Sequence, residues 1–303
     1  MKKQKRRGRG LTILIVILAL ALTGAIVWGV AMAAQSLIQY GDSAQIGQKE
    51  EEEQISGESM DQEADAAPVE PELQEGLPRN RYDPACFIET DGIRTYDSDT
   101  VSGVAGVDVS AHQQDIDWAQ VKAAGIEFAM IRLGYRGYVS GELALDEYFE
   151  RNIQEALDAG LQVGVYFFSQ ALNEEEAVEE AEYVLYWLEH YDITYPVVFD
   201  WEEVSAADAR TNEMNMLLLT SCAKAFCETI ENAGYRAGIY FNQVYGYQQF
   251  NLLSLKDYIF WLAQYEEVPT FVYNFQMLQY TNSGTVPGIE GPVDLNICFW
   301  NKG

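Results

Sequence analysis

The sequence predicts an α/β fold, an irregular TIM-like (β/α) barrel whose last third lacks helices. A helical pattern ends in Ala-Gly three times, and each time an apolar strand follows within a few residues; these strands cover 128–133, 163–168 and 237–241. Glycine suits the residue after a helix, and repeated βα units indicate a parallel sheet. A Gly-x-Gly-x-x-Gly segment follows none of these strands, which favours a barrel over a nucleotide-binding open sheet.

The elements can be placed in order along this repeat. A first strand is predicted at Gly106–Ser110. Asn173 is a suitable N-cap for a helix over Glu174–His190, which carries a regular apolar stripe. A strand over Val197–Glu202 and a helix over Thr211–Ala233 follow. The last strands are separated by loops only, at 261–265, 276–280 and 293–299.

The N-terminal segment has the composition of a membrane anchor. Residues 1–10 hold six cations, and the 24 residues of Leu11–Ala34 carry no charge. As a helix this stretch measures roughly 36 Å, enough to span a bilayer. The basic flank predicts a cytoplasmic head at 1–10 and an extracellular remainder. The alternatives are a cleaved signal peptide, for which Ala31-Met32-Ala33 resembles a cleavage site, and a buried core helix.

An acidic linker is predicted at residues 35–80. Residues 41–80 contain twelve acids and two cations. They have too few apolar groups to offset the entropy that ordering would cost. Residues 81–103 are richer in aromatic side chains and are assigned to a lead-in segment that packs on the barrel domain at 104–303.

The composition excludes several classes of function. With 19 Lys+Arg against 47 Asp+Glu, the net charge of −28 argues against a nucleic-acid binder. The two histidines, His112 and His190, leave little room for a multi-histidine metal site or a histidine triad. The four cysteines are too widely spaced for a paired zinc motif. No cofactor or metal is therefore expected, and the chemistry is left to carboxylates.

The main chemical feature is Asp200-Trp-Glu202 at the end of a predicted strand. Side chains at i and i+2 share a face, so Asp200 and Glu202 project together. Carboxyl ends of barrel strands are where such folds place catalysis, and two close carboxyls suit glycoside hydrolysis. Asp108 ends the first strand in the same way. The alternative is a strand end with solvated charges.

These segments resemble glycoside hydrolase family 25, the Chalaropsis-type lysozymes that cut the β-1,4 bond after N-acetylmuramic acid. The matching stretches run in order from about residue 104 to 299: 106–110, 116–118, 128–134, 164–168, 196–202, 238–240, 261–265, 279–280 and 293–294. The resemblance implies that Glu202 is the general acid/base and Asp200 its partner. It places Asp108 and Asp294 in the same pocket, although Asp294 falls near the start of its strand.

The resemblance also suggests substrate contacts. Tyr166 matches a tyrosine that helps to hold the acetamido group. Tyr240, Trp261 and Gln279 are further substrate-binding candidates; Tyr240, Trp261 and Tyr265 either stack on sugar rings or belong to the core or rim. This chain departs from the family at Leu278-Gln279-Tyr280, where Trp-Gln-Tyr is common, and at Gln114, where a glycine is common.

The resulting hypothesis is a membrane-anchored muramidase that acts on peptidoglycan glycan strands, secreted if the N-terminal segment is cleaved. The alternatives are a catalytically idle barrel that binds peptidoglycan or other envelope proteins, and a glycosidase of chitin-type specificity. Spacing alone leaves inversion, a covalent intermediate and attack by the substrate acetamido open, and the resemblance favours the third. Cys86–Cys298 is one possible disulfide among three full pairings.

Overall fold

The computed structural model describes residues 74–302. The predicted head at 1–10, the anchor at 11–34 and the linker up to residue 73 lie outside this range. Among residues 74–302, no helix combines the length and the apolar character needed to cross a bilayer.

The described chain alternates strands and helices. The strands are β1 Phe87–Thr90, β2 Ile93–Asp97, β3 Val101–Val109, β4 Phe128–Arg136, β5 Leu143–Leu145, β6 Gln162–Phe168, β7 Val197–Asp200, β8 Ala237–Asn242, β9 Ile259–Ala263, β10 Met277–Gly284 and β11 Val293–Asn301. The α-helices are α1 Trp118–Ala123, α2 Phe149–Asp158, α3 Glu174–Leu188, α4 Met216–Asn232 and α5 Gln243–Gln248. Short 3-10 turns lie at Pro84–Cys86, Ala111–Gln113 and Leu252–Leu255.

Eight strands close into a barrel in the order β3-β4-β6-β7-β8-β9-β10-β11, with β11 returning to β3. The six pairings from β3 round to β10 are parallel, and both pairings of β11 are antiparallel. The predicted α/β barrel is confirmed as a mixed closed barrel. Helices follow the earlier barrel strands, whereas β9, β10 and β11 are joined by stretches without an α-helix, as predicted.

Local signals explain where the helices begin and end. The Asn173 side chain accepts a hydrogen bond from the Glu176 backbone N–H and so caps α3. Gly125, Gly160 and Gly234 follow three helices with φ of +96°, +80° and +94°, a region that glycine enters without a steric penalty.

Two predicted boundaries are wrong. The helix predicted from Thr211 begins at Met216, because the Asn215 side chain caps the Leu217 and Leu218 N–H groups. The strand predicted over Val197–Glu202 ends at Asp200, which leaves Glu202 in the loop that follows.

The barrel has an apolar interior distinct from the layer under the helices. Phe128, Met130, Val198, Trp261, Met277 and Cys298 form this interior cluster together with Tyr195. Gly106 makes room for it, since a Cβ there would approach the Phe128 ring to 2.3 Å. The alternate residues of the same strands, such as Ala129, Ile131 and Phe199, belong to the larger core between barrel and helices.

The lead-in segment adds a hairpin to the sheet. β1 and β2 pair with each other, and β2 also pairs antiparallel with the first residues of β3. The ring of Tyr82 stacks on Phe299 at 4.0 Å between ring centroids. Residues 74–80, which the sequence assigned to the linker, also contact the barrel domain: Asn80 N–H donates to the Val272 carbonyl, and Leu77 is buried.

The cysteines form no disulfide in the described chain. All four are free thiols, and three of them are buried: Cys222, Cys227 and Cys298. The possible bond between Cys86 and Cys298 is therefore not made in this structure.

Candidate active site

The polar site sits directly above the apolar interior of the barrel. Along each strand the next inward-facing position after an interior apolar residue is polar: Met130 is followed by Arg132, and Val198 by Asp200. β11 runs the other way, and there the two inward-facing positions before Cys298 are Asn296 and Asp294. Strand alternation therefore brings side chains that are far apart in sequence to one end of the barrel.

Asp108 is held by two amide side chains. Its Oδ2 accepts a hydrogen bond from Gln279 Nε2 at 3.0 Å and from Asn296 Nδ2 at 2.6 Å. Asn296 is itself fixed, since Trp261 Nε1 donates to its Oδ1 at 2.8 Å. Burial raises the pKa of Asp108, and the two amide hydrogen bonds oppose that rise.

Two tyrosines orient Gln279. The hydroxyls of Tyr240 and Tyr265 both donate to Gln279 Oε1, at 2.9 and 2.7 Å. With its oxygen occupied in this way, the amide of Gln279 must present its nitrogen to Asp108. The network thus fixes which end of the amide faces the carboxyl.

Asp294 lies across the barrel seam from Asp108. Their Cα atoms are register partners in the β11–β3 pair, which brings the two carboxyl groups to the same end of the barrel. Burial and the charge of Asp108 raise the pKa of Asp294 well above its ordinary value.

Asp200 ends β7 and is buried at 5% exposure. Burial raises the pKa of Asp200 to about 8; the charge of Asp108 adds to the rise, and the Arg132 guanidinium opposes it. Arg132 is itself buried and ion-paired with Asp146 at 2.8 Å. The Asp200 Oδ1 atom is buried and has no hydrogen-bond partner among the described residues, so its hydrogen-bonding capacity is unused.

Glu202 lies at the same end of the barrel, two residues beyond the strand. After burial, the charge of Glu202 is among the further causes that raise the pKa of Tyr240, Tyr265 and Asp294. The intervening Trp201 points to the other side, where its ring packs on Tyr245 at 5.5 Å between centroids. The alternation predicted for Asp200 and Glu202 therefore continues past the end of the strand.

Tyr166 on β6 completes the pocket. Its ring meets the edge of Trp261 at 6.0 Å between centroids, and its pKa is raised well above the ordinary value by burial. The charge of Arg132 opposes that rise, and the charges of Asp108 and Asp200 add to it.

Two of the predicted substrate contacts are deeply buried in this structure and remain predictions. Trp261 is 2% exposed and lies inside the barrel, where its indole donates to Asn296. Gln279 is 3% exposed and its amide is used by the network around Asp108. Tyr240 is partly exposed, and Tyr265 is 42% exposed.

Sequence reasoning missed Asn296 and Arg132. Both interrupt otherwise apolar strands, at Leu295-Asn-Ile297 and Ile131-Arg-Leu133, and both are buried. A polar residue on a buried strand needs a partner, and that cost was the available signal. Within residues 74–302, no group of three or more His, Cys, Asp and Glu side chains is arranged to hold a metal ion.

Comparisons with known proteins agree with this geometry. The family model described as "Glycosyl hydrolases family 25" matches residues 107–289. The chain is 28% identical over 216 residues to "Lysozyme M1" of Streptomyces globisporus. The aligned region covers 67% of this chain and 70% of that protein.

Two solved structures share the fold. The modular autolysin LytC from Streptococcus pneumoniae, solved with a synthetic peptidoglycan ligand, superposes with a TM-score of 0.60 at 22% identity, over 71% of this chain. The chain spans about half of LytC, 52% of its length. The bacterial lysozyme from Streptomyces coelicolor gives a TM-score of 0.53 at 25% identity and covers 67% of this chain and 93% of that one.

Proposed function

The chain belongs to glycosyl hydrolases family 25, and from that premise we propose that it is a peptidoglycan muramidase. It hydrolyses the β-1,4 bond between N-acetylmuramic acid and N-acetylglucosamine. The observation that carries this proposal is the pairing of Asp200, buried with its pKa raised to about 8, and the partly exposed Glu202, two residues further along the chain. Two carboxyl groups in unequal environments are what acid-assisted cleavage of a glycosidic bond requires.

In this proposal Glu202 transfers the proton. Its carboxyl group protonates the glycosidic oxygen as the bond to the anomeric carbon breaks, and the N-acetylglucosamine side leaves as an alcohol. The resulting carboxylate then takes a proton from the water that attacks the anomeric carbon, which restores the starting state. Its place at the rim, half-exposed, gives it access both to the leaving oxygen and to water.

The nucleophile in this proposal is the acetamido oxygen of the substrate. A carboxyl group that keeps its proton near neutral pH is a poor nucleophile, which argues against an ester on Asp200. The unpartnered Oδ1 of Asp200 instead hydrogen-bonds the acetamido N–H and orients it, with Tyr166 beside it. Attack by the acetamido oxygen forms a cyclic oxazolinium, and water then opens it with overall retention.

The reaction is tested by digestion of purified peptidoglycan with the full-length chain in detergent. The products are reduced with borohydride and identified by mass spectrometry. New muramitol ends are expected. New glucosaminitol ends would identify a different glycosidase specificity, and binding without any new reducing end would identify an idle, peptidoglycan-binding barrel.

We also infer that residues 11–34 anchor the enzyme to the membrane with the barrel domain outside the cell. The support is the uncharged 24-residue stretch behind a head of six cations. Protease added to intact, wall-stripped cells is expected to release a soluble barrel domain. Protection of the domain until the membrane is breached would reverse the topology, and a barrel domain already in the medium would indicate a cleaved signal peptide.

A further inference from the structure

The loop between β7 and α4 carries Glu202, and a buried side chain, Gln170, is hydrogen-bonded to it. Gln170 lies two residues beyond the end of β6 and is 0% exposed. Its amide and its main chain contact this loop at three points. A glutamine without contact to water has to satisfy both ends of its amide within the protein.

Each end of the Gln170 amide has its own partner. Nε2 donates to the main-chain carbonyl of Glu202 at 3.0 Å, and Oε1 accepts from Thr211 Oγ1 at 2.6 Å. The main-chain carbonyl of Gln170 accepts from Arg210 Nη1 at 3.3 Å. Gln170 therefore joins the first residues of the loop to residues 210–211, which lie close to the start of α4.

The residues next to Gln170 and Thr211 are held by further hydrogen bonds and apolar contacts. Ser169 N–H donates to the Asp200 carbonyl at 2.7 Å, which fixes the strand end next to Gln170. Arg210 is tied to Glu176 at 2.8 Å, and its main-chain N–H donates to Tyr138. Beneath the loop, Val204 and Ala209 pack in a small apolar cluster with Tyr135, Tyr138 and Phe168.

We propose that Gln170 is the positioning residue for Glu202, and that Thr211 sets the orientation of the Gln170 amide. The proposal rests on the proposed function, in which Glu202 protonates the leaving oxygen. Since β7 ends at Asp200, the strand ladder does not reach Glu202, and the Gln170 amide supplies the bond that the ladder lacks. The Thr211 hydroxyl occupies Oε1, so that the nitrogen end of the amide faces Glu202.

A positioning role predicts a defect that depends on the leaving group. The rate of cleavage depends strongly on proton transfer when the leaving group is a hydroxyl oxygen of the next sugar, because that oxygen leaves poorly without a proton. It hardly depends on proton transfer when the leaving group is 2,4-dinitrophenolate. The test therefore compares kcat and KM on peptidoglycan glycan strands and on a 2,4-dinitrophenyl β-glycoside of an N-acetylmuramic acid-terminated disaccharide. The variants are Gln170→Met, which keeps the shape and removes both bonds, and Thr211→Val, which removes only the hydroxyl.

A matched control is available in Thr220→Val. Thr220 lies in α4, away from the pocket, and is 7% exposed. Its hydroxyl accepts a hydrogen bond from the Asn251 N–H at 3.0 Å. It loses a buried hydroxyl as Thr211→Val does, at a similar cost in packing. Its kcat on both substrates is expected to equal that of the wild type.

Gln170→Met is expected to lower kcat on glycan strands by about tenfold or more, because small misplacements of a catalytic group are costly. The activated glycoside is expected to be cleaved at nearly the wild-type rate, and KM is expected to stay nearly constant. Thr211→Val is expected to show the same pattern to a smaller degree, and it carries the test if Gln170→Met does not fold.

Equal losses on both substrates, or a change confined to KM, would overturn the Gln170 proposal. Glu202→Gln is measured in parallel and separates the two hypotheses. If Glu202→Gln shows the leaving-group pattern and the Gln170 and Thr211 variants do not, the proposed function stands without the positioning role. If Glu202→Gln itself lacks the pattern, the acid assignment is wrong and the Gln170 proposal fails with it.

Discussion

Asp108 and Asp294 are register partners across the antiparallel β3–β11 pair, and burial together with the charge of Asp108 raises the pKa of Asp294. Together with Asp200 they bring three carboxyls to one end of the barrel, of which Asp108 and Asp200 are buried and Asp294 is partly exposed. Arg132 is an opposing charge there and is already paired with Asp146. Burial of negative charge is unfavourable and raises the pKa of all three carboxyls, that of Asp200 to about 8.

Replacement of Asp200 by Asn is expected to stabilise the protein at alkaline pH. The pKa of Asp200 is raised to about 8 from an ordinary 3.8, so the folded state binds this proton more tightly than the unfolded state. The resulting stabilisation is complete below about pH 4 and is lost as the pH rises to about 8. At pH 8 the variant should gain about 1 kcal/mol or more, or about 2–4 °C in Tm.

Unfolding in guanidinium chloride at pH 4.5, 6 and 8 measures this gain. Asp208→Asn, at an exposed carboxylate of the following loop, controls for the loss of one negative charge from an acidic protein. A gain that is independent of pH, or equal in the two variants, would contradict the expectation.

Glu202→Gln is expected to lower kcat on peptidoglycan by at least about 10²-fold, with glycan binding and Tm nearly unchanged. The amide has the shape of the acid but no proton to give to the leaving oxygen. Glu203→Gln is the matched control, because Glu203 is the exposed neighbour. Steady-state release of reducing ends measures both, and near-normal turnover of Glu202→Gln would remove this residue from the mechanism.

The acetamido mechanism predicts retention without a glycosyl-enzyme ester. A thiazoline that mimics the cyclic intermediate is expected to inhibit the wild type better than the unmodified sugar, and Asp200→Asn is expected to slow turnover strongly. NMR of the first product should show the β-anomer. A sugar trapped on Asp200 by a fluorinated substrate would establish a covalent intermediate, and the α-anomer as first product would establish inversion.

Gln114→Gly is expected to stabilise the fold. Gln114 follows a 3-10 turn with φ of +52° and ψ of −125°, a conformation that costs a side-chain-bearing residue energy and glycine almost none. After the greater flexibility of an unfolded glycine is subtracted, we expect a gain of about 0.5–1 kcal/mol. Gln114→Ala keeps the Cβ and should show no gain in thermal unfolding; equal gains would assign the effect to the lost side chain.

Trp261→Phe is expected to lower stability and kcat while leaving KM unchanged. The change leaves the Oδ1 atom of Asn296 without its buried donor, at a cost of about 1–3 kcal/mol, and loosens the support of Asp108. Trp300→Phe, whose indole packs on Tyr195 at the opposite end of the barrel, is the control. A selective rise in KM would instead indicate that Trp261 contacts the sugar.

Much of this fold could be predicted because its signals are local. The Asn173 cap and the glycine after each of three helices depend on backbone hydrogen bonds within a few residues, so they are readable in the sequence. The strand positions followed from runs of apolar residues. Asp108 and Asp200 were recognisable because a carboxyl on a buried strand is costly unless a site requires it.

Local signals misplaced the boundaries at Thr211 and Glu202. Thr211 matches a helical pattern, but its hydroxyl bonds to Gln170, 41 residues away in sequence, and Asn215 caps the helix instead. Glu202 continues the alternation of β7 without being in its ladder. In both cases a contact that is distant in sequence competes with the local preference.

The sequence by itself determined the order of strands and helices, the alternation that points Asp108, Asp200 and Glu202 inward, and the acidic character of the site. The tertiary structure decided the direction of β11. Asp294 stands at the start of its strand, where a parallel strand would have placed it at the far end of the barrel. Because β11 pairs antiparallel with both neighbours, its start meets the carboxyl end of β3, and Asp294 lies opposite Asp108. Pairing between strands nearly 190 residues apart depends on how the barrel closes, and no local pattern records it.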